Sequence, residues 1–250
     1  MQKILSCVMD IGEQMLLCGA EIHRVEDSIE RMCKAFGAKR IDVFSITSSL
    51  VVTISMEDGE QYTQTRRING SGMDLERLHR LNHLSRQICE NTMTLEEIQK
   101  EYKECMKIKG YPTWVICLSY AFVTAAFTAF FGGNVYEVLL SAILGLLISV
   151  VTHFSEKVDV NRVFVKFFCS FFVTAFAFCF MKFGWIADVD KVIIGNIMVL
   201  IPGIGFTNAL RDLFVGDSIA GLLRTVEAIL LALAISAGYF LFVWLLGGVF

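Results

Sequence analysis

Apolar residues in the first part of the chain recur at spacings of three and four. Ile4, Val8, Ile11 and Met15 form one run, and Ile22, Val25, Ile29, Met32 and Phe36 form a second. That period predicts two amphipathic helices, with Cys18-Gly19-Ala20 as the joint between them and Gly37 as a stop. The pattern then changes. Ile41 to Ile46 and Leu50 to Met56 are rich in β-branched residues, which predicts strands. Asp58-Gly59 is a hairpin turn signal, and Gln61 to Ile68 reads as the returning strand. Beyond the loop Asn69-Gly70-Ser71-Gly72, Asp74 is placed to cap a helix running to about Cys89. Thr94 with Glu97 spells a capping box for another. The order of helix, helix, three strands, helix, helix predicts a small soluble α+β domain over residues 1–110.

After residue 110 the alternation disappears. Thr113 to Phe131 is free of charge over 19 residues, about 28 Å as a helix, which matches the hydrocarbon core of a bilayer. Val135 to Phe154 is a second span, with Glu137 near its start. Val163 to Phe183 is a third, rich in phenylalanine, with Lys166 and Lys182 near its ends, where their ammonium groups can snorkel. Val192 to about Phe214 is a fourth, interrupted by Pro202-Gly203-Ile204-Gly205. Ser218 to Leu246 is a fifth, at about 43 Å longer than the core. Residues 111–250 therefore predict an all-α polytopic membrane domain of about five transmembrane helices. A re-entrant pair of half-helices is the alternative for the fourth. Ala121, Ala125 and Ala129, and Ala228, Ala232 and Ser236, are small-residue stripes that could let helix backbones approach closely.

Composition sharpens this division. The hydrophobic class makes up 55% of the 250 residues, above the usual share of a soluble chain. Residues 1–109 carry 17 Asp and Glu and 15 Lys and Arg, whereas the longer remainder carries 8 and 7. The net charge of −3 comes without any basic block for nucleic acid. The amino-terminal apolar stretch meets Asp10 and Glu13 too early for a secretory signal. Lys100, Lys103, Lys107 and Lys109 precede the first span, and Lys157, Arg162 and Lys166 lie between the second and third. The positive-inside rule then puts the α+β domain and the 155–162 loop in the cytoplasm, and the expected location is the cytoplasmic (inner) membrane. The eight cysteines form no CxxC pair and read as reduced, buried thiols.

The candidate chemistry is concentrated in and after the fourth span. Pro202 removes a backbone donor, and Gly203 and Gly205 let the chain unwind. Freed backbone groups in lipid are tolerated where they line a cavity, and interrupted helices build the binding sites of many transporters. Asn196, Thr207, Asn208, Arg211, Asp212 and Asp217 lie along this stretch. Arg224 and Glu227 follow as an i, i+3 pair. Arg211 or Arg224 could hold a substrate carboxylate, and Asp212, Asp217 or Glu227 could carry a coupling proton. The same charges could instead orient a loop or form a structural ion pair. His79 and His83 stand at i, i+4, but Arg80 occupies the place where a zinc protease carries Glu. No metal site, cofactor fingerprint or phosphate loop is legible, so transport would be powered by gradients rather than ATP.

Two segments at opposite ends resemble the threonine/serine exporter family. Gly19-Ala20-Glu21-Ile22-His23-Arg24-Val25-Glu26 is similar to its opening motif, together with Phe44, Arg66-Arg67-Ile68 and the run Asp74-Leu75 to Ser85-Arg86. Pro202-Gly203, Thr207-Asn208-Ala209-Leu210-Arg211-Asp212-Leu213 and Gly216-Asp217 look like its membrane signature. Full-length members have about ten spans. This chain, with about five, is similar to the larger, YjjP-type subunit of split exporters, which pairs with a small five-span membrane subunit of the YjjB type. The resemblance implies export of threonine and serine or of a succinate-like dicarboxylate, with no cofactor. It adds Glu21, His23, Arg24 and Glu26 to the candidate residues. It also implies that the pathway needs the second subunit. The odd count of five spans would make a fused second half run in the opposite sense, the inverted-repeat logic of many secondary transporters; an oligomer of this chain is a further possibility. A membrane-anchored hydrolase using His23, His79 or His83, or a ligand-sensing regulatory protein, is the competing reading. The hydrolase lacks an identifiable nucleophile or metal triad.

Overall fold

The computed structural model describes residues 1–70, 72–91, 93–108, 110–158 and 160–246. Ser71, Lys109 and Asp159, which fall within the loop, the lysine-rich run and the 155–162 loop read above, lie outside the described residues. By its contacts the chain divides into two units. One is Met1–Gly110 with Phe206–Thr225, and the other is Tyr111–Gly205 with Val226–Phe250.

The first unit contains α1 (Gln2–Leu17), α2 (Ile22–Ala35), β1 (Arg40–Ile46), β2 (Ser49–Ser55), β3 (Gln61–Arg67), α3 (Leu75–Glu90) and α4 (Leu95–Met106). The strands form an antiparallel sheet in the order β1-β2-β3, with Val43 opposite Val52 and Thr53 opposite Thr63. Strand alternation sends Leu50, Val52 and Ile54 of β2 into one core. They are joined there by Leu5, Met9 and Met15 of α1, Ile22, Val25 and Ile29 of α2, and Leu81 and Leu84 of α3. Each such side chain contributes about 1.5–3 kcal/mol of transfer free energy. Arg66 of β3 reaches α1, donating to Ser6 Oγ at 3.0 Å and to Asp10 Oδ1 at 3.2 Å. The Asp74 cap accepts from the Arg77 amide at 3.0 Å, and the Thr94–Glu97 capping box is present.

The joint between α1 and α2 is held tightly. Gly19 has φ +90°, and a Cβ there would lie 2.8 Å from Gly72 O. Glycine alone meets both demands without strain. The Gly72 amide donates to Leu17 O and the Asp74 amide to Cys18 O, so the entry to α3 is fastened to the same joint.

Two further helices reach this unit, α9 (Gly203–Val215) and α10 (Ser218–Leu246). Residues 206–225 belong to it, and Ala220 is buried in its core. The α9–α10 turn follows from Gly216-Asp217. Gly216 has φ +106°, the Asp217 amide donates to Asp212 O at 2.9 Å, and the Gly216 amide donates to Leu213 O at 3.3 Å. That is the Schellman pattern, which ends a helix on a left-handed residue and satisfies two of its last carbonyls.

The second unit contains α5 (Thr113–Phe130), α6 (Val135–Lys157), α7 (Arg162–Lys182), α8 (Val189–Leu200) and α10 from Val226 onward. Among the described residues, α5, α6, α7 and α10 are long and apolar enough to cross a membrane. The pair α8 and α9 passes the same test together but is bent by 53° at its break. The spans therefore number four, or five if the bent pair counts as one. The break falls at Ile201-Pro202, where proline cannot continue the hydrogen-bond ladder.

Packing in this unit departs from the predicted alanine stripes. On α5 the buried positions are Ala121, Thr124 and Thr128, while Ala129 is exposed. On α10 they include Ala228, Leu231, Ala234, Ile235 and Phe242, while Ala232 and Ser236 are exposed. A strict spacing of four drifts by about 40° per step around a helix, so the contact face alternates threes and fours. Two close approaches set glycine against a hydroxyl side chain, Gly145 against Thr124 and Gly195 against Thr128. Thr124 Oγ1 donates to Ser141 O at 2.8 Å, and Thr128 Oγ1 to Ser141 Oγ at 2.7 Å. A Cβ on Gly195 of α8 would overlap Thr128 Oγ1 and stand 2.8 Å from the Thr128 amide nitrogen. Gly195→Ala should therefore cost about 1–3 kcal/mol by overpacking. A lower thermal midpoint in detergent would show it, and an unchanged midpoint would contradict this packing.

Phe164, Phe168, Phe172 and Phe176 of α7 are exposed, and Val165, Cys169, Val173 and Ala177 are buried. The phenylalanines therefore face outward. The cysteines are all free, but only Cys18, Cys33, Cys105 and Cys169 are buried, and Cys89 is exposed. Glu137 is fully buried in a capping box with Asn134. It also accepts the Ala187 and Asp188 amides at 3.2 and 2.9 Å, which fastens the α7–α8 connection to the start of α6.

Candidate transport site

The α1–α2 joint presents two acceptors in succession, the carbonyl of Ala20 and the carboxylate of Glu21. Glu21 is the N-cap residue of α2, but its side chain makes no cap hydrogen bond. It accepts instead from Arg211 Nη1 of α9 at 2.7 Å. Ala20 O accepts from Arg224 Nη2 of α10 at 3.1 Å, and the other arm of the same guanidinium, Nη1, donates to Asp212 Oδ2 at 2.8 Å. Gly19 fixes this joint, so the requirement for glycine and the placing of both acceptors belong to one piece of backbone.

The two ion pairs are unlike. Asp212 is 2% exposed and Arg224 17%, so this pair is shielded from water and either charge depends on the other. Arg211 is 59% exposed against 17% for Glu21. A pair this open is worth only about 0–1 kcal/mol, and its guanidinium can exchange Glu21 for another carboxylate.

Glu26 of α2 lies five residues beyond Glu21, and its Oε1 accepts the Ser45 amide of β1 at 2.7 Å. Burial pushes the Glu26 carboxyl above the usual carboxylate range. The Ser45 amide and hydroxyl oppose that shift, the charge of Asp217 adds to it, and His23 opposes it. Asp217 Oδ2 is itself buried without a hydrogen-bond partner.

A family model described as "Putative threonine/serine exporter" matches residues 6–246. The chain belongs to the threonine/serine exporter family. Among its relatives, a protein of Klebsiella aerogenes named "Probable succinate transporter subunit YjjP" is 24% identical over 231 residues, covering 90% of this chain and 86% of that one. A protein of the same name from Escherichia coli strain K12 is 21% identical over 228 residues, covering 91% and 88%. No solved structure matches. With its long apolar helices, this member of the exporter family is a multi-pass membrane protein.

In this exporter-family chain the residues read from the sequence fall into distinct places. Glu21, Arg211, Asp212 and Arg224 come together in the first unit, to which Glu26 and Asp217 also belong. Thr207 and Asn208 lie on α9 of the same unit, and His23 and Arg24 are exposed on α2. Asn196, Pro202, Gly203 and Glu227 belong to the second unit. Asn196 is fully buried, with Nδ2 donating to Val192 O at 2.9 Å and Oδ1 without a partner. Arg224 binds Asp212 rather than the i, i+3 partner Glu227, which is exposed. His79 and His83 are exposed. Among the described residues no three His, Cys, Asp or Glu side chains are placed to hold a metal ion. Sequence reasoning missed the Ala20 carbonyl and Ser45. The first acts through its backbone oxygen, which residue type does not reveal, and the second is an unremarkable strand serine.

Proposed function

We propose that this chain is the larger subunit of a secondary-active exporter of small carboxylate-bearing metabolites, threonine and serine or a succinate-like dicarboxylate. It works with a small five-span membrane subunit in the cytoplasmic membrane, with the α+β unit on the cytoplasmic side. One observation carries this reading. The opening motif and the membrane signature, far apart in sequence, meet in the cluster of Glu21, Arg211, Asp212 and Arg224. A passive anchor has no need of an exposed, exchangeable arginine beside a buried ion pair.

The two arginines divide the work. Arg224 is committed to Asp212 and Ala20 O and holds α9 and α10 on the joint. Arg211 is the group that can pass from Glu21 to a substrate carboxylate, in a charge-assisted and bidentate contact. The names of the relatives carry the word subunit, which supports a second polypeptide in the working transporter.

Efflux of labelled threonine, serine and succinate from loaded cells tests the proposal. The chain is expressed alone and then with a YjjB-type partner. Efflux dependent on both chains is expected, with the favoured label naming the substrate class. Efflux from this chain alone would remove the two-subunit requirement, and no efflux of any label under either condition would overturn the exporter reading.

A further inference from the structure

We propose that the outward side of α9 is the docking surface for the second membrane subunit, which covers it with an apolar helix bearing a hydrogen-bond acceptor opposite Arg211. The inference rests on the two-subunit exporter reading and gives the partner its place on this chain. α9 is built inside out. Its inward side carries Ala209 and Asp212, both buried, and Asn208 and Leu213, both partly buried. Arg224 of α10 holds Asp212 there. Gly221 of α10 packs on the same helix, where an added Cβ would stand 2.7 Å from the Leu213 amide nitrogen and 3.0 Å from Ala209 O.

The opposite side exposes Phe206, Leu210 and Phe214, a stripe at i, i+4 and i+8, with Phe214 88% exposed. A helix on a water-soluble surface does the reverse, turning its apolar stripe inward and its polar residues out. The outward side of α9 therefore calls for apolar surroundings, and together with α8 this helix passes the length and apolarity test for a membrane span. Those surroundings are lipid or protein, and two residues decide between them. Thr207 and Arg211 are exposed beside the apolar stripe. Helix α7 supplies the contrast. Over residues 164–176 its exposed positions are Phe164, Phe168, Phe172 and Phe176 and no others, a surface suited to acyl chains.

A guanidinium turned toward lipid is costly, and arginines in membrane segments normally face protein or a water-filled cavity. The bond from Arg211 to Glu21 uses Nη1 and leaves the side chain 59% exposed, so the group has further donors to offer a partner. Hydroxyl side chains such as Thr207 are likewise suited to contacts between membrane helices. Charge then selects the occupant. A symmetric contact with a second copy would set this side of α9 against itself. It carries Arg211, while the helix's one carboxylate, Asp212, faces inward, so two cations would meet. A different polypeptide with an acceptor avoids that repulsion, and the relatives' names describe each as a subunit. A substrate carboxylate would then meet Arg211 at the seam between the two subunits.

Photo-cross-linking in membranes tests the surface. The full chain is expressed with a YjjB-type partner and carries Phe214→p-benzoylphenylalanine or, as a second site on the same stripe, Leu210→p-benzoylphenylalanine. Phe172→p-benzoylphenylalanine on α7 is the control. Illumination should join the Phe214 and Leu210 probes to the partner and leave the Phe172 probe without a protein adduct. Adducts between two copies of this chain would overturn the proposal in favour of a self-contact. Probes at Phe214 and Leu210 that capture no protein would overturn it in favour of lipid. Partner adducts from Phe172 in place of Phe214 would overturn it by moving the interface to α7. The readout needs assembly but no transport, so an adduct without efflux leaves the surface standing while the exporter reading fails. A partner that co-purifies with the chain yet is never cross-linked from α9 overturns the surface alone. A partner that does not co-purify overturns the surface and the two-subunit requirement together.

Discussion

Arg224→Ala should be the most destabilising single substitution in the cluster. It strips the partner from Asp212, which is 2% exposed, and removes the donor to Ala20 O. Leaving a buried carboxylate uncompensated costs about 3–5 kcal/mol, which a thermal unfolding scan of the detergent-solubilised protein would register as a large drop in midpoint. The double variant Arg224→Ala with Asp212→Asn removes the stranded charge and should recover much of that loss without recovering efflux. Arg224→Lys should fall between. A lysine keeps one positive charge but cannot place two donors in the fixed fork that spans Asp212 Oδ2 and Ala20 O. An Arg224→Ala protein that unfolds with the wild type would show that this pair holds nothing together.

What the sequence revealed, and what it did not, follows from the range over which each force acts. The Thr94–Glu97 box, the Asp58-Gly59 turn and the helical periods of α1 and α2 are local, and a few adjacent residues specify them. The break at Pro202 is also local, since the ring removes a donor wherever it stands. The extension of α6 to Lys157, three residues beyond the hydrophobic run, escaped because a helix continues past the apolar stretch that marks it. The partners of Arg211 and Arg224 could not be read in this way. Glu21 lies 190 residues from Arg211, and Ala20 lies 204 from Arg224, separations that no periodicity encodes. Glu227 looked like the natural partner for Arg224 because helical spacing can propose only residues three or four apart. The family resemblance marked both motifs as belonging to one protein. It took three-dimensional placement to bring them into the same cluster.

Arg211→Ala should separate transport from folding. Its pair with Glu21 is open to water, with Arg211 59% exposed, so removing it should change stability by no more than about 1 kcal/mol. A guanidinium that receives a substrate carboxylate supplies charged hydrogen bonds worth about 1.5–3 kcal/mol, or roughly 10- to 150-fold in apparent affinity. Efflux at low internal substrate should fall by about that factor while the thermal midpoint stays in place. Arg211→Lys should restore only part of it, because a lysine offers a point charge where a carboxylate fits a fork. Glu21→Gln acts from the other side. It frees Arg211 of its resting partner and leaves the substrate contact available, so it should tighten apparent affinity or leave it unchanged. Together these three variants distinguish a substrate-binding arginine from a structural one. If Arg211→Ala lowers the midpoint as much as Arg224→Ala does, or leaves efflux untouched, then Arg211 does not exchange partners and the substrate carboxylate is held elsewhere.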